Sequence, residues 1–201
     1  RIPVTKYGLP QVAVFPAIII VVMIIALLLG KKYMPIWATV TIEAILLIVL
    51  VWALSFFRAP FRATPTDKNL LISPADGKVT DIEIVDEPEF IKGKAIRIGI
   101  FLSIFNVHIN RAPCDCSVEK ITYKKGKFKN AMDPQSGRVN ESNSLYITRT
   151  QSPQDKLIIR QVSGAIARHI VCKTASGQKL TAGQQFGMIK FGSRTELYIP
   201  K

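Results

Sequence analysis

Two apolar runs near the start of the chain limit its fold more than anything else in it. "VAVFPAIIIVVMIIALLL", residues 12–29, carries no charge, and "IWATVTIEAILLIVLVWALSFF", residues 36–57, is interrupted only by Glu43. A helix rises ~1.5 Å per residue, so about 20 such residues cross a bilayer core of ~30 Å. Helices of a water-soluble domain show a polar face, and these show almost none. The intervening "GKKYMP" leaves room only for a hairpin connection. A signal peptide would have a shorter apolar core and a small-residue cleavage site, and none follows Leu29. The expectation is a transmembrane α-hairpin over residues 1–57, with Glu43 facing its partner helix or another copy in a homo-oligomer.

Flanking cations give the hairpin a direction. Arg1, Lys6, Arg58, Arg62 and Lys68 lie on the side of the ends, against Lys31 and Lys32 in the connection. The positive-inside rule then puts both ends, and whatever follows, on the cytoplasmic face of the cell membrane. The net charge is +13, and residues 58–201 hold 23 of the Lys and Arg against 13 Asp and Glu. Beside a membrane hairpin this favours an anionic lipid surface. Nucleic acid is excluded as a partner because no aromatic–basic stripe offers bases a stacking platform. Cys114, Cys116 and Cys172 form neither a disulfide framework nor a zinc spacing, and with His108 and His169 as the only imidazoles no metal is expected.

The remainder divides into a linker and one domain. "RAPFRATPTDKN", residues 58–69, reads as extended chain. Residues 70–201 then run through strand-like stretches: "GKVTDIEIVDE", "KAIRIGIFLSIF", "SVEKITY", "SLYITRT", "KLIIRQV" and "FGMIKFGSRTELYIP". "SGAIARHIVC" is the one helical candidate, on Ile166 and Ile170 at i and i+4, although strand fits equally. "GKFKNAMDPQSGRVNESNS", residues 126–144, reads as a loop, either a lid or a solvated connection. The fold class expected is mainly β (α+β), with a lipoyl-carrier or barrel-sandwich likeness.

Phosphate-loop, dinucleotide-binding, zinc-protease and nucleophile-elbow motifs are all absent. Four segments carry chemistry-bearing residues: "SPADGKV" with Asp76, "FLSIFNVHINRAP" with His108, "VSGAIARHIV", and "FGMIKFGSRTELYIP" with Ser193. Taken singly, Asp76-Gly77 is a turn, His108 a core imidazole, and Gly192-Ser193 a bulge. Taken together with "FFRAPFR" they resemble the small membrane-anchored phosphatidylserine decarboxylases and their archaetidylserine relatives, over essentially the whole chain.

The resemblance implies a pyruvoyl cofactor derived from Ser193 by self-cleavage between Gly192 and Ser193, so that one precursor yields two chains. Ser193 would attack the Gly192 carbonyl, with His108 as base and Asp76 orienting it. The ketone would form a Schiff base with phosphatidylserine, or a related anionic serine phospholipid, and CO2 would leave to give phosphatidylethanolamine. Arg111 is the expected substrate-binding residue. Larger members carry two histidines on this strand, whereas here Arg111 follows His108 without a second imidazole. Two other readings stay open: a membrane-anchored hydrolase using Ser193, His108 and Asp76 on its substrate, and a non-catalytic lipoyl-like binding module.

Overall fold

In the computed structural model, which describes residues 4–165, 169–190 and 192–201, the two apolar runs form α1 (Gln11–Tyr33) and α2 (Ile36–Phe56). Pro35 ends the first and starts the second, because the residue before a proline is pushed out of helical conformation, and Met34 is extended. Both helices are long and apolar enough to cross a membrane. They pack closely where Gly30 meets Thr39, a spot with no room for a Cβ on Gly30. Before α1 the chain returns to the end of α2, with the Thr5 N–H donating to the Phe57 carbonyl at 2.9 Å.

The chain divides into two compact units, Arg1–Pro60 and Phe61–Lys201. Residues 61–77 of the second contain no helix or strand but are tied down. Ile72 N–H donates to Pro113 O at 2.9 Å, and Arg111 N–H to Pro74 O at 3.0 Å.

The strands that follow are β1 (Lys78–Glu87), β2 (Gly93–Leu102), β3 (Ile109–Arg111), β4 (Cys116–Lys124), β5 (Ser142–Arg149), β6 (Lys156–Val162), β7 (His169–Cys172), β8 (Lys179–Leu180), β9 (Gln185–Lys190) and β10 (Ser193–Pro200). A single helical turn, α3 (Ser136–Val139), breaks the expected loop between β4 and β5. Seven strands form one antiparallel sheet in the order β1-β2-β10-β6-β5-β4-β8, and three form a second, β3-β9-β7. A buried cluster including Leu145, Ile147, Leu157, Ile159 and Leu197 from the first sheet and Phe186 from the second joins them.

The helical alternative for "SGAIARHIVC" is corrected. His169–Cys172 is strand β7, paired with β9 from His169↔Lys190 to Cys172↔Gly187, while Ile166 lies outside the described residues. Four residues cannot complete a stable helix, and an adjacent strand satisfies their backbone at once. The short β3 and β8 had no periodicity to announce them.

Candidate active site

The run "KFGSRT" reads as one strand with a glycine in it, but the structure makes it a corner. β9 belongs to the three-stranded sheet and β10 to the seven-stranded sheet, so the chain changes sheets between Lys190 and Ser193. Gly192 takes φ +71°, a left-handed conformation that glycine adopts without cost, and a Cβ there would meet Ile104 Cγ2 at 3.7 Å. Ser193 opens β10 opposite Leu102 of β2 and is fully buried. Its Oγ has no hydrogen-bond partner among the described residues. Leaving a buried hydroxyl unpaired costs ~1–3 kcal/mol, so a merely structural serine is a poor account of it.

His108 stands directly before β3, and its carbonyl accepts from Ile189 N–H of β9 at 3.1 Å, close to the corner. The imidazole is fully buried. Gly192 N–H donates to Nε2 at 3.0 Å, and Nδ1 lies 3.0 Å from the Asn106 carbonyl. These partners fix the tautomer. A carbonyl only accepts, so Nδ1 carries the proton, and an amide only donates, so Nε2 offers its lone pair. The Asn106 carbonyl is aimed by its own turn: Asn106 Oδ1 accepts from both the N–H and the hydroxyl of Ser103 at 2.8 Å.

Two residues further along each strand, a hydrogen bond sets the separation of these groups. Side chains at i and i+2 share a face of a strand. Asn110 Nδ2 donates to Thr195 Oγ1 at 2.9 Å, coupling His108's segment to Ser193's. Gln161 Nε2 donates to Asn110 Oδ1 at 2.9 Å, and Asn143 Nδ2 to Gln161 Oε1 at 3.1 Å, so the coupling is continued through β6 and β5.

Arg194, next to Ser193, is fully buried and fixes the start of β10. Its Nη2 donates to both oxygens of Asp81 at 2.6 Å, Nη1 to Thr80 Oγ1 at 2.9 Å, and Nε to Glu196 Oε1 at 2.9 Å. Gly99 of β2 makes room for the guanidinium, which a Cβ would strike. Burial raises the Asp81 pKa, but hydrogen bonds from Arg194 and Thr80 and the Arg194 and Arg97 charges outweigh it and hold the carboxyl below its ordinary value. A group depressed on folding stabilises the native state above its unfolded pKa, and that share is lost as pH falls below ~4 toward the lowered value. Arg194→Met takes from Asp81 and Glu196 their shortest cation contacts, leaving the longer ones from Arg97 and Arg160 at 3.4–3.7 Å, and is expected to cost about 1.5–3 kcal/mol in denaturant unfolding. The acid-side loss of stability should shrink in the same variant.

The Gly192 carbonyl is approached by Gly164, where a Cβ would collide with Gly192 O. A cavity of about 230 Å³ opens beside the corner, lined by Phe101, Ser103, Ile104, Asn130, Ala131, Ala165 and Gly192. Asn130 and Ala131 come from the segment expected to be a loop or lid.

The other expected site residues gather elsewhere. Asp76 accepts from Arg62 through three contacts of 3.3–3.4 Å. Arg111 Nη1 donates to Gly183 O at 3.0 Å. Both line a second cavity, of about 130 Å³, with Arg62, Ile109 and Gly183. His108, Gly192 and Ser193 are thus brought together, whereas the Nδ1 bond expected from Asp76 is made to the Asn106 carbonyl. His169, the other imidazole, is exposed at the start of β7. Among the described residues no group of three or more His, Cys, Asp or Glu could hold a metal ion.

Sequence reasoning missed Asn106, Asn110, Gly164 and Arg194. The alternations "HIN" and "SRT" held a signal for Asn110, since each places a polar residue two positions from a candidate.

Comparison with known proteins adds what geometry cannot. A family model described as phosphatidylserine decarboxylase matches residues 49–201. A phosphatidylserine decarboxylase proenzyme of Carboxydothermus hydrogenoformans is 44% identical over 154 residues, which cover 77% of this chain and 71% of that protein. A protein of the same name from Desulfotalea psychrophila is 44% identical over 156 residues, covering 78% and 72%.

Proposed function

The chain belongs to the phosphatidylserine decarboxylase family, and from that premise we propose that it decarboxylates phosphatidylserine with a pyruvoyl group made from its own Ser193. The observation that carries this reading is the pairing of His108 Nε2 with Gly192 N–H beside the uncommitted, buried Ser193 hydroxyl. The word proenzyme in the relatives' names agrees with a precursor that must be converted.

Conversion needs only groups at the corner. Once the Gly192 N–H leaves His108 Nε2 and frees its lone pair, that nitrogen takes the hydroxyl proton as Ser193 Oγ bonds to the Gly192 carbonyl carbon. The C–N bond breaks, the proton goes to the Ser193 nitrogen, and an ester replaces the amide. His108 Nε2, deprotonated again, takes the Ser193 α-proton as the Cβ–Oγ bond breaks, leaving Gly192 as a carboxylate and residue 193 as dehydroalanine. One water enters and one ammonia leaves as that residue becomes a pyruvoyl group.

The residues present fit the group. The orphaned Oγ, the left-handed Gly192 and the close approach of Gly164 all surround the bond that must react. The pyruvoyl group would sit at the head of β10, held in place by the buried contacts of Arg194 and Thr195. It would supply an electrophilic carbonyl for the headgroup amine and an acceptor for the electron pair released with CO2.

Around it, Ile104 and Ala131 supply apolar walls, and His108 Nε2 is the group we assign to return a proton to the substrate α-carbon. Arg111 and Arg62 in the second cavity support a headgroup-anion role for Arg111. We keep Asp76 as a positioning group, supported by its sharing that cavity with Ile109, the residue after His108. The two apolar helices and their flanking cations support a membrane hairpin with both ends in the cytoplasm, testable by cysteine labelling.

Intact mass is the deciding measurement for the reading as a whole. The active protein is expected as two chains, the later one beginning with a carbonyl that borohydride reduces. A hydrolase acting through the same three residues would remain whole and react with a fluorophosphonate. Gly164→Ala pushes a Cβ against the Gly192 carbonyl and is expected to slow self-cleavage by ~10² or more, followed by mass over time.

A further inference from the structure

We infer that the loop around Phe128, together with Phe105, docks this face of the domain onto an anionic lipid bilayer and leads a membrane-held substrate to the cavity beside Gly192. The inference rests on the decarboxylase reading and specifies how that site meets its lipid.

From Lys120 to Met132 the chain reads "KITYKKGKFKNAM", with five lysines and no carboxylate. Residues 122–130 are all exposed. Within and beside this basic stretch stand apolar side chains open to water: Phe128 at 37%, Met132 at 56% and Phe105 at 69%. Cations interleaved with exposed apolar groups suit the boundary between headgroups and acyl chains, where each kind of residue finds its own medium.

The segment is held in shape. Lys127 N–H donates to Val139 O at 2.8 Å, and Lys127 O accepts from Glu141 N–H at 3.0 Å. Lys129 exchanges two hydrogen bonds of 2.9 Å with the Asn140 side chain. Phe128 is therefore carried between two anchored lysines, so little entropy remains to be lost on docking.

Position gives the surface its meaning. The same loop supplies Asn130 and Ala131 to the cavity at Gly192, and Ile104, the neighbour of Phe105, lines that cavity too. Two separate segments thus bring exposed apolar side chains to the surroundings of one cavity. An acidic protein would satisfy the lysines but not this apolar grouping; a bilayer satisfies both.

The test uses the full chain reconstituted in phosphatidylcholine vesicles with a fixed share of phosphatidylserine and graded phosphatidylglycerol. The triple variant Lys125→Glu, Lys127→Glu, Lys129→Glu and the double variant Phe128→Ser, Met132→Ser are compared with the parent. Each is expected to raise the half-saturating surface fraction of substrate about tenfold. Self-cleavage and the rate on a monomeric short-chain phosphatidylserine stay within twofold of the parent. Unchanged behaviour on vesicles, equal loss on the monomeric substrate, or indifference to phosphatidylglycerol overturns the inference.

A second readout needs no activity, so it separates this inference from the decarboxylase reading. Phe128→Trp, with Trp37 and Trp52 replaced by Phe, is expected to be quenched by brominated lipids, more strongly as phosphatidylglycerol rises. Absence of quenching overturns docking even in an active enzyme.

Discussion

Ser193→Ala is expected to give a chain of one unbroken mass, with no carbonyl for borohydride to reduce and decarboxylation reduced at least ~10³-fold. The side chain it removes makes no hydrogen bond among the described residues and lies fully buried. Deleting an unpaired buried hydroxyl is neutral or slightly stabilising, so the unfolding midpoint should stay level or rise. That combination separates chemistry from structure: a residue important only to packing would lower stability when lost. Retained decarboxylation in the uncut variant would end the pyruvoyl reading.

His108→Ala is the second large effect, and its interpretation needs one more measurement. The substitution removes a base worth ~10²–10⁴ in rate. It also orphans Gly192 N–H and the Asn106 carbonyl, which the ring now serves from its two nitrogens. Self-cleavage is expected to slow by about that factor, with a stability loss of ~1–3 kcal/mol from the unpaired groups. Free imidazole distinguishes the two contributions. It fits the space vacated by the ring and should restore part of the cleavage rate, read by intact mass, without restoring the lost stability in proportion. No recovery together with a collapsed fold would make His108 a structural residue.

Most of the strands were legible because their alternation reports a local property, the face each residue presents. β1, β2, β4, β5 and β6 all overlap stretches read as strand, with β2, β4 and β5 beginning one or two residues earlier than the stretch. The corner at Gly192 was not legible, since both flanks read as strand and nothing local says that they join different sheets. Ser193 and His108 came from motif resemblance, and the structure brings their segments together. Asn106 was hidden because its contribution is a backbone carbonyl, which every residue possesses. Arg194 was hidden for the opposite reason: its partner Asp81 stands 113 residues earlier and is supplied by the register of β2 between β1 and β10. Gly164 looked like any loop glycine until the Gly192 carbonyl was seen against it.

Under the proposed cleavage between Gly192 and Ser193, the sheet change at this corner governs what becomes of the molecule. β9 keeps its neighbours β3 and β7, and β10 keeps β2 and β6, because neither ladder runs through the join. The new amino-side end would therefore lie inside the middle of a sheet, with residue 193 paired to Leu102 on one edge and Arg194 gripped on both. Maturation should alter the melting temperature very little, and the two pieces should separate only under conditions that dismantle the whole domain.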